Sequence, residues 1–126
     1  QEWETGNTFS IENGYRCTQK LLEQAPRVTA IFALNNLIGL GVLQALKEKG
    51  KKIPADISLI IFDDQPYVAY LNPPITTVRQ STGEIGLYAI QAILNQIEGK
   101  EPGIQSLAVP TELVIRDSVG QACPCI

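Results

Sequence analysis

The fold is decided by Val28–Asp64, VTAIFALNNLIGLGVLQALKEKGKKIPADISLIIFDD. Its opening run, Val28–Leu34, is apolar and β-forming, follows Pro26 and stops at Asn35. A short run with no polar face fits a strand buried on both sides. Leu37, Ile38, Leu40, Val42, Leu43, Ala45 and Leu46 then recur at helical spacing as far as Gly50. Gly50 is a natural helix stop, and Lys47 and Lys49 complement the negative end of the helix dipole. Ile57–Phe62, ISLIIF, is a second buried strand, closed by Asp63-Asp64-Gln65-Pro66. Two such strands joined through a helix make a parallel pair with a crossover.

Working outward, Ser10 precedes Ile11, Tyr15, Cys17, Leu21 and Leu22, an amphipathic pattern with a good N-cap that Pro26 ends. Residues 2–5 fit the end of a strand. On the other side, Tyr67–Leu71 suits one helical turn. Ile75–Val78 is extended, because two prolines precede it and β-branched residues fill it. Ser81-Thr82-Gly83-Glu84 reads as a capping box for a helix over 81–98, striped by Ile85, Ala89, Ile90, Ile93 and Leu94. Leu107-Ala108-Val109 and Glu112–Arg116 read as a closing strand interrupted at Pro110. The alternation predicts an α/β fold, a parallel sheet with helices on both faces. Ligands bind off the carboxyl ends of such strands. Three places qualify: the loop Gly6–Phe9, the pair Asn35-Asn36, and Asp63-Asp64.

Composition narrows the function. The chain has 126 residues, 10 Lys+Arg against 13 Asp+Glu, and 44% hydrophobic residues. That is one domain by length, with enough apolar mass for a core. A net charge of −3 argues against a free-standing nucleic-acid binder. No apolar run reaches the ~18 residues of a membrane span. There is no His, which removes Ser-His and Cys-His catalysis and the commonest metal ligand. Neither a metal nor a cofactor is expected. Met is absent, including at position 1, so a processed chain or a piece of a longer protein is expected, with no retained signal peptide. Cys17, Cys123 and Cys125 form no disulfide framework or four-ligand zinc site. Cys17 fits helix packing, and Cys123-Pro124-Cys125 a tail with free thiols, which suits a reducing cytoplasm.

The strand-end residues leave three chemistries open. Asp63 and Asp64 read as a catalytic or Mg²⁺-binding carboxylate pair, as turn residues, or as acceptors for a polar ligand. Carboxylates beside carboxamides and an aromatic face suit a polyhydroxylated ligand. Asn35 is either a helix cap or a ligand contact, with Asn36 the better cap by position. Phe9 is a ring for stacking or a lid over the core, and Gln80 is neutral by itself. The cluster Lys47, Lys49, Lys51 and Lys52 reads as a solvated helix end. No Gly-rich phosphate loop is present.

Val28–Asp64 together with NPPITTVRQ (72–80), EIGLYAIQAIL (84–94) and PTELVIRDS (110–118) resembles the C-terminal half of a LacI/GalR-family transcription regulator. The likeness runs from about Gly6 to Ser118. It implies an effector domain similar to periplasmic sugar-binding proteins, with two α/β lobes, three crossing strands and a small effector in the cleft. It also implies an N-terminal helix-turn-helix outside this chain that binds operator DNA, and a cytoplasmic homodimer whose DNA affinity follows the effector. Matching the family's motifs, Phe9 is the stacking aromatic, Asn35 the strand-end carboxamide, Asp63 the acidic contact and Gln80 the polar residue at the third crossing. Two departures bear on ligand identity: Asn36 where the family usually has Asp, and Ile61 where it usually has Gly. On this likeness, 1–80 is the C-terminal lobe, 81–105 returns to a missing N-terminal lobe, 106–118 is a closing strand and 119–126 a flexible tail. The stripe of helix 81–98 is then expected to be covered by self-association or by folding onto the chain's own body. Pairing is expected through Leu40, Val42 or Leu43, Tyr70 and Leu71. A periplasmic transport receptor and a flavodoxin-like enzyme are the other readings. An upstream signal peptide would mark the first, and a catalytic constellation, not visible here, the second.

Overall fold

The computed structural model describes residues 8–100 and 106–121. The strand expected at 2–5 and the Cys123–Cys125 pair lie outside them. Ser10 is extended, its side chain accepts from the Asn13 N–H at 3.1 Å, and α1 runs Ile11–Gln24 from that cap. β1 (Ala30–Ala33), α2 (Asn36–Glu48) and β2 (Ser58–Phe62) follow. A turn of 3-10 helix over Pro66–Tyr70 leads to β3 (Thr76–Gln80), α3 (Thr82–Ile97) and β4 (Thr111–Val114). Gly50 takes φ +66° directly after α2, the left-handed stop that glycine accepts without strain.

The sheet order is β1-β2-β3-β4. β1, β2 and β3 are parallel, with Ala33 level with Ile61 and Ile61 level with Thr77. β4 runs antiparallel to β3, because α3 leaves the carboxyl edge and the chain returns from that edge. The closing strand is confined to Thr111–Val114, and Leu107–Val109 form no strand.

α2 lies on the face carrying Ala33, Leu59 and Ile61, which are buried with Val42, Leu46, Ile57, Val68 and Ile75 in one core. α1 packs on α2 at backbone contact. A Cβ on Gly41 would stand 2.1 Å from the Ile11 carbonyl oxygen, and one on Gly14 2.4 Å from that of Ile38. Gly39 faces Ile61, whose side chain fills the space a Cβ there would need. The bulk of Ile61 is thus accommodated inside the sheet–helix layer, away from the strand end.

Several expectations are corrected. Among the described residues, helices do not cover both faces: Phe32 is 52% exposed and Leu113 54%, with Ile60, Phe62 and Val78 between them by register. Phe32 and Phe62 meet edge to face at 6.5 Å on that open side. α3 buries none of its residues, so its stripe is not folded onto the body. Ser81 begins α3 without a side-chain cap, because its φ of −76° and ψ of 70° are not the extended geometry a capping box requires. Val42 is a core residue with 2% exposure, which removes it from any pairing surface. Leu43 and Leu71 pack against the core, while Tyr70 is 87% exposed. Gly120, expected in a loose tail, is bonded through its N–H to Ser58 Oγ at 3.1 Å.

Candidate functional site

The carboxyl ends of β1, β2 and β3 carry Asn35, Asp63 and Gln80 to one edge, since Ala33, Ile61 and Thr77 share a register line. The first departs from expectation. Asn35 is the N-cap of α2, and Asn36 is its first residue. Asn35 Oδ1 accepts from the Ile38 N–H at 2.8 Å. The capping uses only the oxygen, and no acceptor among the described residues meets the two Nδ2 protons. Cap and ligand donor are therefore compatible in one side chain. Asn36 Oδ1 instead accepts from the Tyr67 hydroxyl at 3.2 Å, tying the start of α2 to the segment after β2.

Asp63 and Asp64 are chemically unequal. Asp63 sits at φ +75°, a left-handed conformation uncommon for a residue with a Cβ. Its N–H donates to the Val78 carbonyl at 2.9 Å. Its Oδ1 accepts from Gln80 Nε2 at 2.6 Å, so the structure joins these two predicted residues directly. Asp64 turns the other way, into the sheet edge. Its Oδ1 accepts from Thr77 Oγ1 at 2.8 Å and Arg116 Nη2 at 2.8 Å. Its Oδ2 accepts from Arg79 Nε at 2.9 Å and Nη2 at 2.6 Å. A carboxylate has about four acceptor sites, so these four bonds saturate Asp64. Burial alone pushes its carboxyl up. The hydrogen bonds from Arg79, Thr77 and Arg116, with the charge of Arg116, outweigh that and hold it below the usual carboxylate range.

A depression of about 490 Å³ lies over this edge, lined by Asp63, Asp64, Gln65, Arg79, Gln80 and Thr82. Asn35 and Phe9 do not line it; Phe9 is 66% exposed in the segment before Ser10. Arg79 and Arg116 were not singled out from the sequence. Their only signal is cationic residues in two otherwise β-forming segments, opposite an adjacent carboxylate pair. Among the described residues no group of three His, Cys, Asp or Glu is placed to hold a metal. No helix among them is long and apolar enough to cross a membrane.

Residues 1–119 match the model of the periplasmic binding protein-like domain. The chain belongs to that family. Within it, the chain is 38% identical over 120 residues to the HTH-type transcriptional repressor PurR of Haemophilus influenzae, covering 93% of this chain and 36% of that protein. The chain thus spans about a third of the length of the curated relatives it matches. A LacI family transcriptional regulator from Enterococcus faecium, solved with bound ribose, superimposes with a TM-score of 0.78 at 32% identity, covering 91% of this chain and 42% of that one. Another from Arthrobacter sp. FB24, in complex with lactose, gives 0.76 at 29% identity over 88% and 42%. The resemblance carried by the A-I-F-A-x-N, F-D-D and P-P-I-T-T-V-x-Q segments is borne out: this is an effector-binding domain fragment of the LacI/GalR type. Its architecture is one α/β lobe of such a domain plus a helix that leaves it. These three relatives are transcriptional regulators, which does not favour the transport-receptor reading.

Proposed function

We propose that this chain supplies the C-terminal effector lobe of a cytoplasmic LacI-family repressor whose operator affinity follows a small polyhydroxylated effector. The observation that carries the reading is the Asp63–Gln80 pair at the parallel strand ends. Asp63 is an acceptor with one oxygen still open among the described residues, and Gln80 keeps one amide proton and its carbonyl. Outside the depression, Asn35 at the end of β1 keeps its Nδ2 donors, and Phe9, in the segment before α1, is an exposed ring. Such a set meets hydroxyls with both donors and acceptors. Ribose and lactose in the two solved relatives support a sugar as the first class to screen.

In this reading residues 1–80 and 106–118 form the lobe, and 81–105 lead to a second lobe outside the chain. Operator DNA is bound by an N-terminal segment likewise outside it, and not by this acidic chain. The protein works as a homodimer, with Tyr70 and Leu40 on the pairing surface and Leu43 and Leu71 supporting them from the core side. It binds and does not catalyse, since the second carboxylate of the pair is consumed by arginines. The effector shifts the operator-bound state only through unequal affinity for the two states.

The test uses the intact protein and operator DNA, titrated with ribose, lactose and a panel of hexoses. Asp63→Ala removes a charged hydrogen bond worth roughly 1.5–3 kcal/mol, so the response moves to about 10- to 100-fold higher sugar. Operator affinity without sugar stays unchanged. A variant that responds at the wild-type concentration refutes the assignment of Asp63.

A further inference from the structure

We propose that Asp64 is a positioning residue that acts through its neighbour, locking Asp63 into the geometry that meets Gln80. Asp63 pays for its carboxylate's direction with a left-handed backbone, which for a non-glycine residue persists only where its surroundings over-determine it. Those surroundings are visible. On one side the Asp63 N–H is bonded to Val78 of β3. On the other, the next residue is fastened by four bonds, three from Thr77 and Arg79 of β3 and one from Arg116 just past β4. Relaxing Asp63 to a right-handed or extended φ rotates the peptide into Asp64 and swings that carboxylate off Arg79 and Arg116. Arg116 cannot follow, because its Nη1 also donates to the Ile75 carbonyl at 2.7 Å and its backbone is paired with Thr76 Oγ1. Arg79 is held on its far side by Glu112 of β4 at 3.2 Å. The lock therefore spans the end of β2, β3 and β4, and its output is the 2.6 Å Asp63–Gln80 contact.

This extends the effector reading above, but its two readouts need no ligand and so stand or fall apart from it. The first is the side-chain amide signal of Gln80 in a ¹H–¹⁵N spectrum of the full chain, assigned with Gln80→Glu. Asp63→Ala shifts this signal by removing its acceptor. Asp64→Asn, which keeps Asp63, is expected to shift it in the same direction. The second is a double-mutant cycle in urea. Made in a Gln80→Ala chain so that no side-chain bond is lost with it, Asp63→Gly relieves the left-handed backbone and lowers the unfolding constant about three- to tenfold while Asp64 is present. In the Asp64→Asn background, where Asp63 is already free to relax, the gain falls below about twofold. Should Asp64→Asn fail to fold, Arg79→Gln, which cuts two of the four bonds at an exposed residue, gives the same two effects in reduced size. An unmoved Gln80 signal, or an Asp63→Gly gain of equal size in both backgrounds, overturns the proposal and leaves Asp64 a merely structural carboxylate.

Discussion

Replacing Gly41 by alanine is expected to destabilise the chain, although alanine is the better helix former. The added Cβ would lie 2.1 Å from the Ile11 carbonyl oxygen and 2.5 Å from the Tyr15 nitrogen. An ordinary carbon–oxygen contact is about 3.3 Å, so α1 must retreat by roughly 1 Å. Both obstructing atoms are backbone, and no rotamer change relieves them. A 1 Å gap along the α1–α2 seam forfeits a quarter to a half of each dispersion contact there. Overpacking of this kind costs up to about 3 kcal/mol. Helix propensity returns about 1 kcal/mol. The net loss is about 2 kcal/mol, or a melting point lower by roughly 5–10 °C for a domain of this size. Far-UV circular dichroism during heating measures it. Gly86→Ala is the control: a Cβ there meets nothing within 4 Å, so helix content rises and the main transition does not move. A Gly41→Ala chain that melts at or above the wild-type temperature refutes the close-approach argument.

Two further outcomes follow from buried polar groups. Ser118, with no exposure, donates from Oγ to the Leu59 carbonyl at 2.5 Å and accepts from the Thr76 N–H at 2.8 Å. Ser118→Ala leaves both backbone groups unpaired, and urea unfolding should show a loss of about 2–3 kcal/mol; a loss under about 0.5 would mean the bridge contributes little. Asp64 has its carboxyl held low in the folded state, so its stabilisation is complete above the unfolded-state value near 4 and disappears as pH falls through the folded value. The wild-type chain should therefore lose more stability between pH 6 and pH 2.5 than Asp64→Asn does; equal losses in the two chains would contradict this.

Local rules carried much of the fold because its elements obey them singly. Ser10, Gly50 and the two apolar strand runs each act within a few residues of themselves, and all four stand where periodicity and capping place them, although one face of the strands is open rather than buried. The misses lie where one residue's role depends on distant chain. Asn35 and Asn36 have the same side chain, and only the backbone of α2 decides that Asn35 caps it. Ser81 follows β3 directly, and its backbone leaves the sheet in a geometry the S-x-x-E pattern cannot report. Helices on both faces followed from alternation, but α3 departs with β3 instead of crossing back over the sheet. The carboxylate pair was legible as a pair. Its division of labour was not, because Arg79 and Arg116 reach Asp64 across 15 and 52 residues of sequence.

α3 leaves the body through β3, the chain returns to it through β4, and none of the helix's residues is buried. Its 16 residues span about 24 Å. It is therefore a lever whose fulcrum is the Gln80–Thr111 rung. A tilt of about 10° at that rung carries the far end about 4 Å, from the same length. The side chain at the fulcrum is Gln80, the one that touches Asp63. By that geometry a rotation of the rung moves Ile97 by far more than it moves Gln80 itself.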